Sequence, residues 1–224
     1  MLNETLSRRL AAEFFGTAML VCAVVGSGIM AERLAGGNIA IALLANTVAT
    51  AGALVALILA FAPVSGSHFN PSVSLSAMIN HEMLRSEAAL YISAQVAGAL
   101  LGVGLANLMF DLPAFSQSAK TRTGFGQLLG EFVASFGLVG IIVAVSRRHK
   151  APSVAAIAVA AFISGAYWFT SSTSFANPAV TVARSLSDTF TGIRPTDVPA
   201  FIIAQLVGAT LATFLFNWLV PRTI

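Results

Sequence analysis

Three short sequence matches recur in the same order along the chain, and each half they define holds an odd number of long apolar segments. Leu10-Ala11-Ala12-Glu13-Phe14 corresponds to Leu128-Leu129-Gly130-Glu131-Phe132, 118 residues on. Phe69-Asn70-Pro71-Ser72-Val73 corresponds to Ala176-Asn177-Pro178-Ala179-Val180, at a separation of 107. Ala94-Gln95-Val96-Ala97-Gly98-Ala99 corresponds to Ala204-Gln205-Leu206-Val207-Gly208-Ala209, at 110. The apolar segments fall at roughly 9–31, 38–62, 86–110, 126–146, 152–171 and 198–220, three to a half. Each is long enough for a spanning helix of ~20 residues, and none alternates like a barrel strand. Three crossings turn the second half over. The repeats, about 1–112 and 123–224, are therefore inverted about an axis in the membrane plane, an arrangement that places a pathway at their interface. We read 1–224 as one all-α transmembrane domain.

Charge supports the membrane reading. Only 9% of the 224 residues are charged, against roughly 25% in an average soluble domain. The same figures exclude a disordered chain, and a single cysteine, Cys22, excludes a disulfide scaffold. Arg8 and Arg9 precede the first segment, which lacks a small-residue cleavage site and reads as a retained span. The Arg147-Arg148-His149-Lys150 cluster lies between spans four and five. Basic clusters favour the cytoplasmic side, so both termini are expected there.

The two Asn-Pro segments carry the functional signal. Each opens a short apolar stretch, about 71–80 and 178–188. Asn suits a helix N-cap, and Pro suits the first helical position because it has no N–H to leave unsatisfied. Ten or so helical residues rise roughly 15 Å, half of a ~30 Å hydrocarbon core. Two such half-helices, one per inverted repeat, meet end to end as a broken seventh span. A lone Asn-Pro is more simply a surface turn; two at matching places in an inverted repeat are not. Their facing N-termini carry roughly half a positive charge each, which disfavours cations and admits neutral polar solutes. The side-chain NH2 groups of Asn70 and Asn177 are then donors to a solute oxygen. The approaches at 65–68 and 170–174 offer backbone carbonyls, and irregular backbone at this depth needs a cavity beside it.

These motifs resemble the aquaporin and aquaglyceroporin (major intrinsic protein) family over nearly the whole chain. The likeness rests on six spans, a Glu in spans one and four, paired Asn-Pro boxes (Asn70-Pro71-Ser72 and Asn177-Pro178-Ala179), and Ala-Gln-x-x-Gly in spans three and six. It implies an hourglass fold with six transmembrane helices and two re-entrant half-helices, passive conduction, and a homotetramer with one pore per subunit. In most members the second box continues into Arg; here Val180 stands there, and Arg184, four residues on, is not expected to reach the same spot. Ungapped alignment from the boxes puts the other three filter positions at Thr50, Gly165 and Ser174. The expected filter, Thr50, Gly165, Ser174 and Val180, is small, uncharged and wide. The pattern is similar to aquaglyceroporins of bacterial arsenic-resistance operons. That likeness implies a bacterial inner (plasma) membrane, and glycerol-type polyols, arsenite and related metalloid hydroxides, methylated arsenicals and water as solutes.

Glu13 and Glu131 lie inside spans, where a carboxylate is a functional candidate by default. One reading makes them proton carriers of a coupled secondary transporter. The other makes them acceptors for the irregular backbone of the re-entrant loops, which their symmetric placement and the resemblance favour. By its family counterpart His68 faces the cytoplasmic vestibule. It is no metal site, because His81 and His149 are in distant loops, and no cofactor is expected. Trp168, Trp218 and Tyr167 sit near span ends and read as interface anchors, Tyr167 and Trp168 also as candidates to shape the outer mouth. Gly98, Gly102 and Gly208 suit close helix crossings. No nucleophile–base pair, phosphate loop or nucleic-acid face is present, so the partners expected are small neutral solutes and the bilayer, and an enzyme is not expected.

Overall fold

The computed structural model describes residues 4–149 and 151–222; Lys150 of the basic cluster lies outside them. Each apolar segment forms one helix: α1 (Leu6–Leu34), α2 (Ile39–Ser65), α4 (Arg85–Met109), α5 (Phe125–Arg148), α6 (Pro152–Phe169) and α8 (Val198–Leu219). All six are long and apolar enough to cross a membrane. The Asn-Pro segments form the short helices α3 (Pro71–Ile79) and α7 (Pro178–Arg184). The described residues contain no strand.

Polarity is sorted as a bilayer requires. Large apolar residues such as Leu44, Ile157 and Phe214 point outward and are exposed, while Asn46, Gln95, Ser135 and Gln205 are buried. With lipid outside, polar side chains find partners only within the bundle.

Small residues set the long crossings. Gly98 of α4 lies against the Phe14 carbonyl of α1, and Gly208 of α8 against the Phe132 carbonyl of α5, each closer than a Cβ tolerates. Phe14 and Phe132 are equivalent in the repeat, so one contact is built twice. The halves also interlock: α3 packs against α8 as well as α4, and α7 against α4 as well as α8.

The second half-helix is shorter than the expected 178–188. It ends at Arg184 because the 112–120 loop takes the carbonyls just past that end: Ser118 N donates to Ser185 O and Ser116 N to Leu186 O, both at 3.0 Å. A longer helix would use those acceptors itself.

Candidate functional site

Both half-helices begin as the Asn-Pro pattern dictates. Asn70 Oδ1 accepts from Ser72 N at 2.9 Å, and Asn177 Oδ1 accepts from Ala179 N at 3.0 Å and Val180 N at 3.3 Å. The two N-termini meet. Asn70 Nδ2 donates to Ala176 O at 2.7 Å, and Asn177 Nδ2 donates to Phe69 O at 2.8 Å. Each amide therefore has one N–H tied across the junction. The second N–H of each is left for a solute oxygen.

The preceding loops are bent alike. Gly66, Ser67 and Phe69 in the first, and Thr173, Ser174 and Ala176 in the second, all have positive φ, between 46° and 87°. These pairs are all 107 residues apart, as the boxes are. Left-handed geometry at non-glycine residues costs of order 1–3 kcal/mol each and persists only where the surroundings impose it. Two buried carboxylates do so. Glu13 Oε1 accepts from Ser65 Oγ at 2.6 Å and His68 N at 3.0 Å, and its Oε2 from Phe69 N at 2.7 Å and Gln95 Nε2 at 2.8 Å. Glu131 repeats the arrangement, taking Phe175 N and Ala176 N at 2.9 Å and Gln205 Nε2 at 2.6 Å. Both carboxylates are fully buried, and neither borders the cavity described next.

One cavity runs past both boxes. Its wall reaches from Asn80, Glu82 and Arg147 at one end to Arg184 at the other, and includes Asn70 and Asn177. α3 and α7 together rise roughly 24 Å, most of a hydrocarbon core. Between the ends the wall holds no acidic or basic side chain apart from the His68 imidazole, whose Nδ1 lies 3.0 Å from Ser74 Oγ. Ser72 and Ala179, the last residues of the boxes, are buried and lie off this wall.

Three of the four expected filter residues, Thr50, Ser174 and Val180, border the cavity; Gly165 does not. The cavity face of α6 is Val159, Ile163 and Tyr167, spaced by four. Gly165 lies about 200° round the helix from Ile163 and is exposed on the outer surface. Tyr167, two residues on, borders the cavity. The ring is buried, and its hydroxyl lies 3.2 Å from Thr50 Oγ1. Tyr167 is thus a wall residue rather than an interface anchor, whereas Trp168 and Trp218 are exposed.

Arg184 borders the cavity as well. Val180 and Arg184 are four apart on α7 and so share a face. The loops close round this end. Ile193 N donates to Arg184 O, and Arg122, absent from our sequence reading of the site, donates Nε to Gly192 O at 2.8 Å and Nη1 to Ser172 O at 3.0 Å. No spacing rule singles out Arg122; only the fold brings it here. Among the described residues no cluster of three or more metal-ligating side chains occurs.

Residues 2–174 match the family described as "Major intrinsic protein". The chain is similar to the "Aquaglyceroporin AqpS" of Rhizobium meliloti (strain 1021), 53% identical over 96% of this chain and 91% of that protein. It is 30% identical to the "Probable aquaporin AqpM" of Archaeoglobus fulgidus, over 97% of this chain and 99% of that one. The X-ray structure of the aquaglyceroporin from Plasmodium falciparum superposes with a TM-score of 0.73, covering 97% of this chain and 98% of the other at 19% identity, a likeness of fold.

Proposed function

The chain belongs to the major intrinsic protein family, membrane channels rather than enzymes, and we propose that it is a passive channel for small uncharged solutes. The solutes are glycerol-type polyols, arsenite and related metalloid hydroxides, methylated arsenicals and water. Asn70, Pro71, Ser72, Asn177, Pro178 and Ala179 build its midpoint. Thr50, Ser174 and Val180, with Tyr167 in place of Gly165, form the narrow outer part; His68 lines the vestibule; Glu13 and Glu131 support the loops. The chain is a single domain and assembles as a homotetramer in a bacterial inner membrane, with both termini in the cytoplasm.

One observation carries this reading. The reciprocal Asn bonds set two helix N-termini against a wall without carboxylates at that depth. A neutral solute meets single N–H donors and carbonyls there, whereas a cation meets positive dipole ends. Metalloid and polyol substrates are supported by Val180, apolar where the family pattern has Arg, and by the similarity to a protein named an aquaglyceroporin. A proton-coupled transporter is disfavoured because Glu13 and Glu131 each accept three or more hydrogen bonds away from the cavity. Solute uptake into proteoliposomes tests the proposal. Glycerol and arsenite entry well above protein-free vesicles is expected; water flux without either would sink the substrate class.

A further inference from the structure

Arg184 is a buried cation without a counter-ion. It is 3% exposed, makes no salt bridge among the described residues, and borders the cavity near Val180, Tyr167 and Ser174. A buried charge is expensive unless it is paired or has a use. Helical side chains lean toward the helix N-terminus, so a long side chain covers the turn before its own Cα. For Arg184 that turn holds Val180. The guanidinium is fixed on two sides. Its Nε donates to the Thr191 carbonyl, and its Cζ sits 3.3 Å from the centre of the Phe175 ring. Phe175 is itself held edge-on by Phe201 at 5.3 Å. Arg122 approaches the same ring at 4.8 Å, but it hydrogen-bonds to Gly192 O and Ser172 O and stays off the wall. The terminal Nη groups of Arg184 have no partner among the described residues and are not sealed from the cavity. Ser174 Oγ, also without a partner, lies on the same wall.

We propose that Arg184, reaching back along α7 and clamped by Phe175 and the Thr191 carbonyl, is the ion barrier and solute-oxygen anchor of this pore. The inference rests on the channel reading above. The fixed positive charge repels monovalent cations and protons carried as hydronium, in a site where little water screens it. The planar Nη pair donates to adjacent oxygens of one solute, favouring molecules with neighbouring hydroxyls over isomers whose hydroxyls sit one carbon further apart. Val180 supplies the apolar side. Phe175 orients the guanidinium by stacking and itself borders the cavity.

The test compares wild type, Arg184→Met, Arg184→Gln and Phe175→Leu in proteoliposomes, each first shown to keep the wild-type elution profile. Glycerol, 1,2-propanediol and 1,3-propanediol permeability are measured alongside potassium and proton leak. Wild type is expected to pass glycerol with negligible leak. Loss of the charge at 184 should raise the leak about tenfold or more, lower the ratio of 1,2- to 1,3-propanediol flux several-fold, and leave total neutral flux within a few-fold. Phe175→Leu should give an intermediate leak. Variants as cation-tight as wild type, with unchanged solute ratios, would overturn the inference. Absence of glycerol flux in wild type would instead overturn the channel reading. If both position-184 variants fail to fold, Phe175→Leu decides alone: a raised leak supports the proposal, and an unchanged one contradicts it.

Discussion

The amide nitrogen of Asn70 donates to the carbonyl of Ala176 at 2.7 Å, binding the first half-helix to the loop that precedes the second. Its repeat partner Asn177 returns the bond to Phe69 O at 2.8 Å. The junction is thus held by side chains that also cap the helices. Asn70→Asp keeps the capping oxygen and removes the cross-junction donor. It leaves a buried carbonyl unpaired, so a loss of about 1–3 kcal/mol is expected. Asn70→Ala also loses the cap, about 1 kcal/mol more. Thermal unfolding in detergent should rank wild type above Asp, and Asp above Ala.

Glu13 supports the first loop by accepting four hydrogen bonds. In Glu13→Gln one oxygen becomes an NH2 facing donors. A destabilisation of about 3 kcal/mol or more is expected, since bonds to a charged group are worth about 1.5–3 each. The surviving folded protein should show the same flux per molecule and the same pH profile as wild type. A changed pH profile with unchanged stability would restore Glu13 as a proton carrier.

Tyr167 and Gly165 separate the two accounts of the narrow part. Tyr167→Ala should admit polyols longer than glycerol, measured by swelling in sorbitol against glycerol, because the ring is buried in the cavity wall. Gly165→Ala should leave the solute profile unchanged, because its nearest neighbour is the outward-facing Phe169 ring at 3.8 Å. The reverse result would return Gly165 to the filter.

At the α1–α4 crossing, Gly98→Ala places a methyl against the Phe14 carbonyl. Backbone cannot yield as a side-chain tip does, so a cost of about 1–3 kcal/mol is expected. Gly208→Ala meets the Phe132 carbonyl in the same way and should cost a similar amount. Gly52, with nothing within 4 Å, is the control and should tolerate Ala.

Much of this was legible in the sequence because it depends on local rules. Six spans follow from length and polarity. The half-helices follow from Asn-Pro, and their meeting follows from the parity of the repeat. Glu13 and Glu131 followed from symmetry. What escaped depends on helix phase and on long-range contacts. A shift of two residues on α6 exchanges a cavity-facing Tyr167 for an outward Gly165. The apolar spacing Val159, Ile163, Tyr167 was the available signal, and ungapped alignment overrode it. Counting one turn beyond Val180 placed Arg184 too deep, although four-residue spacing puts both on one face. The early end of α7 was not readable at all, since the 112–120 loop that ends it joins only in the fold.

The central claim is passive conduction along the Asn70–Asn177 pathway. A pH jump imposed across proteoliposomes with equal glycerol on both sides tests it most directly. The account expects no net glycerol movement, and an initial rate proportional to concentration once a glycerol gradient replaces the pH gradient. Accumulation of glycerol driven by the pH difference would contradict it.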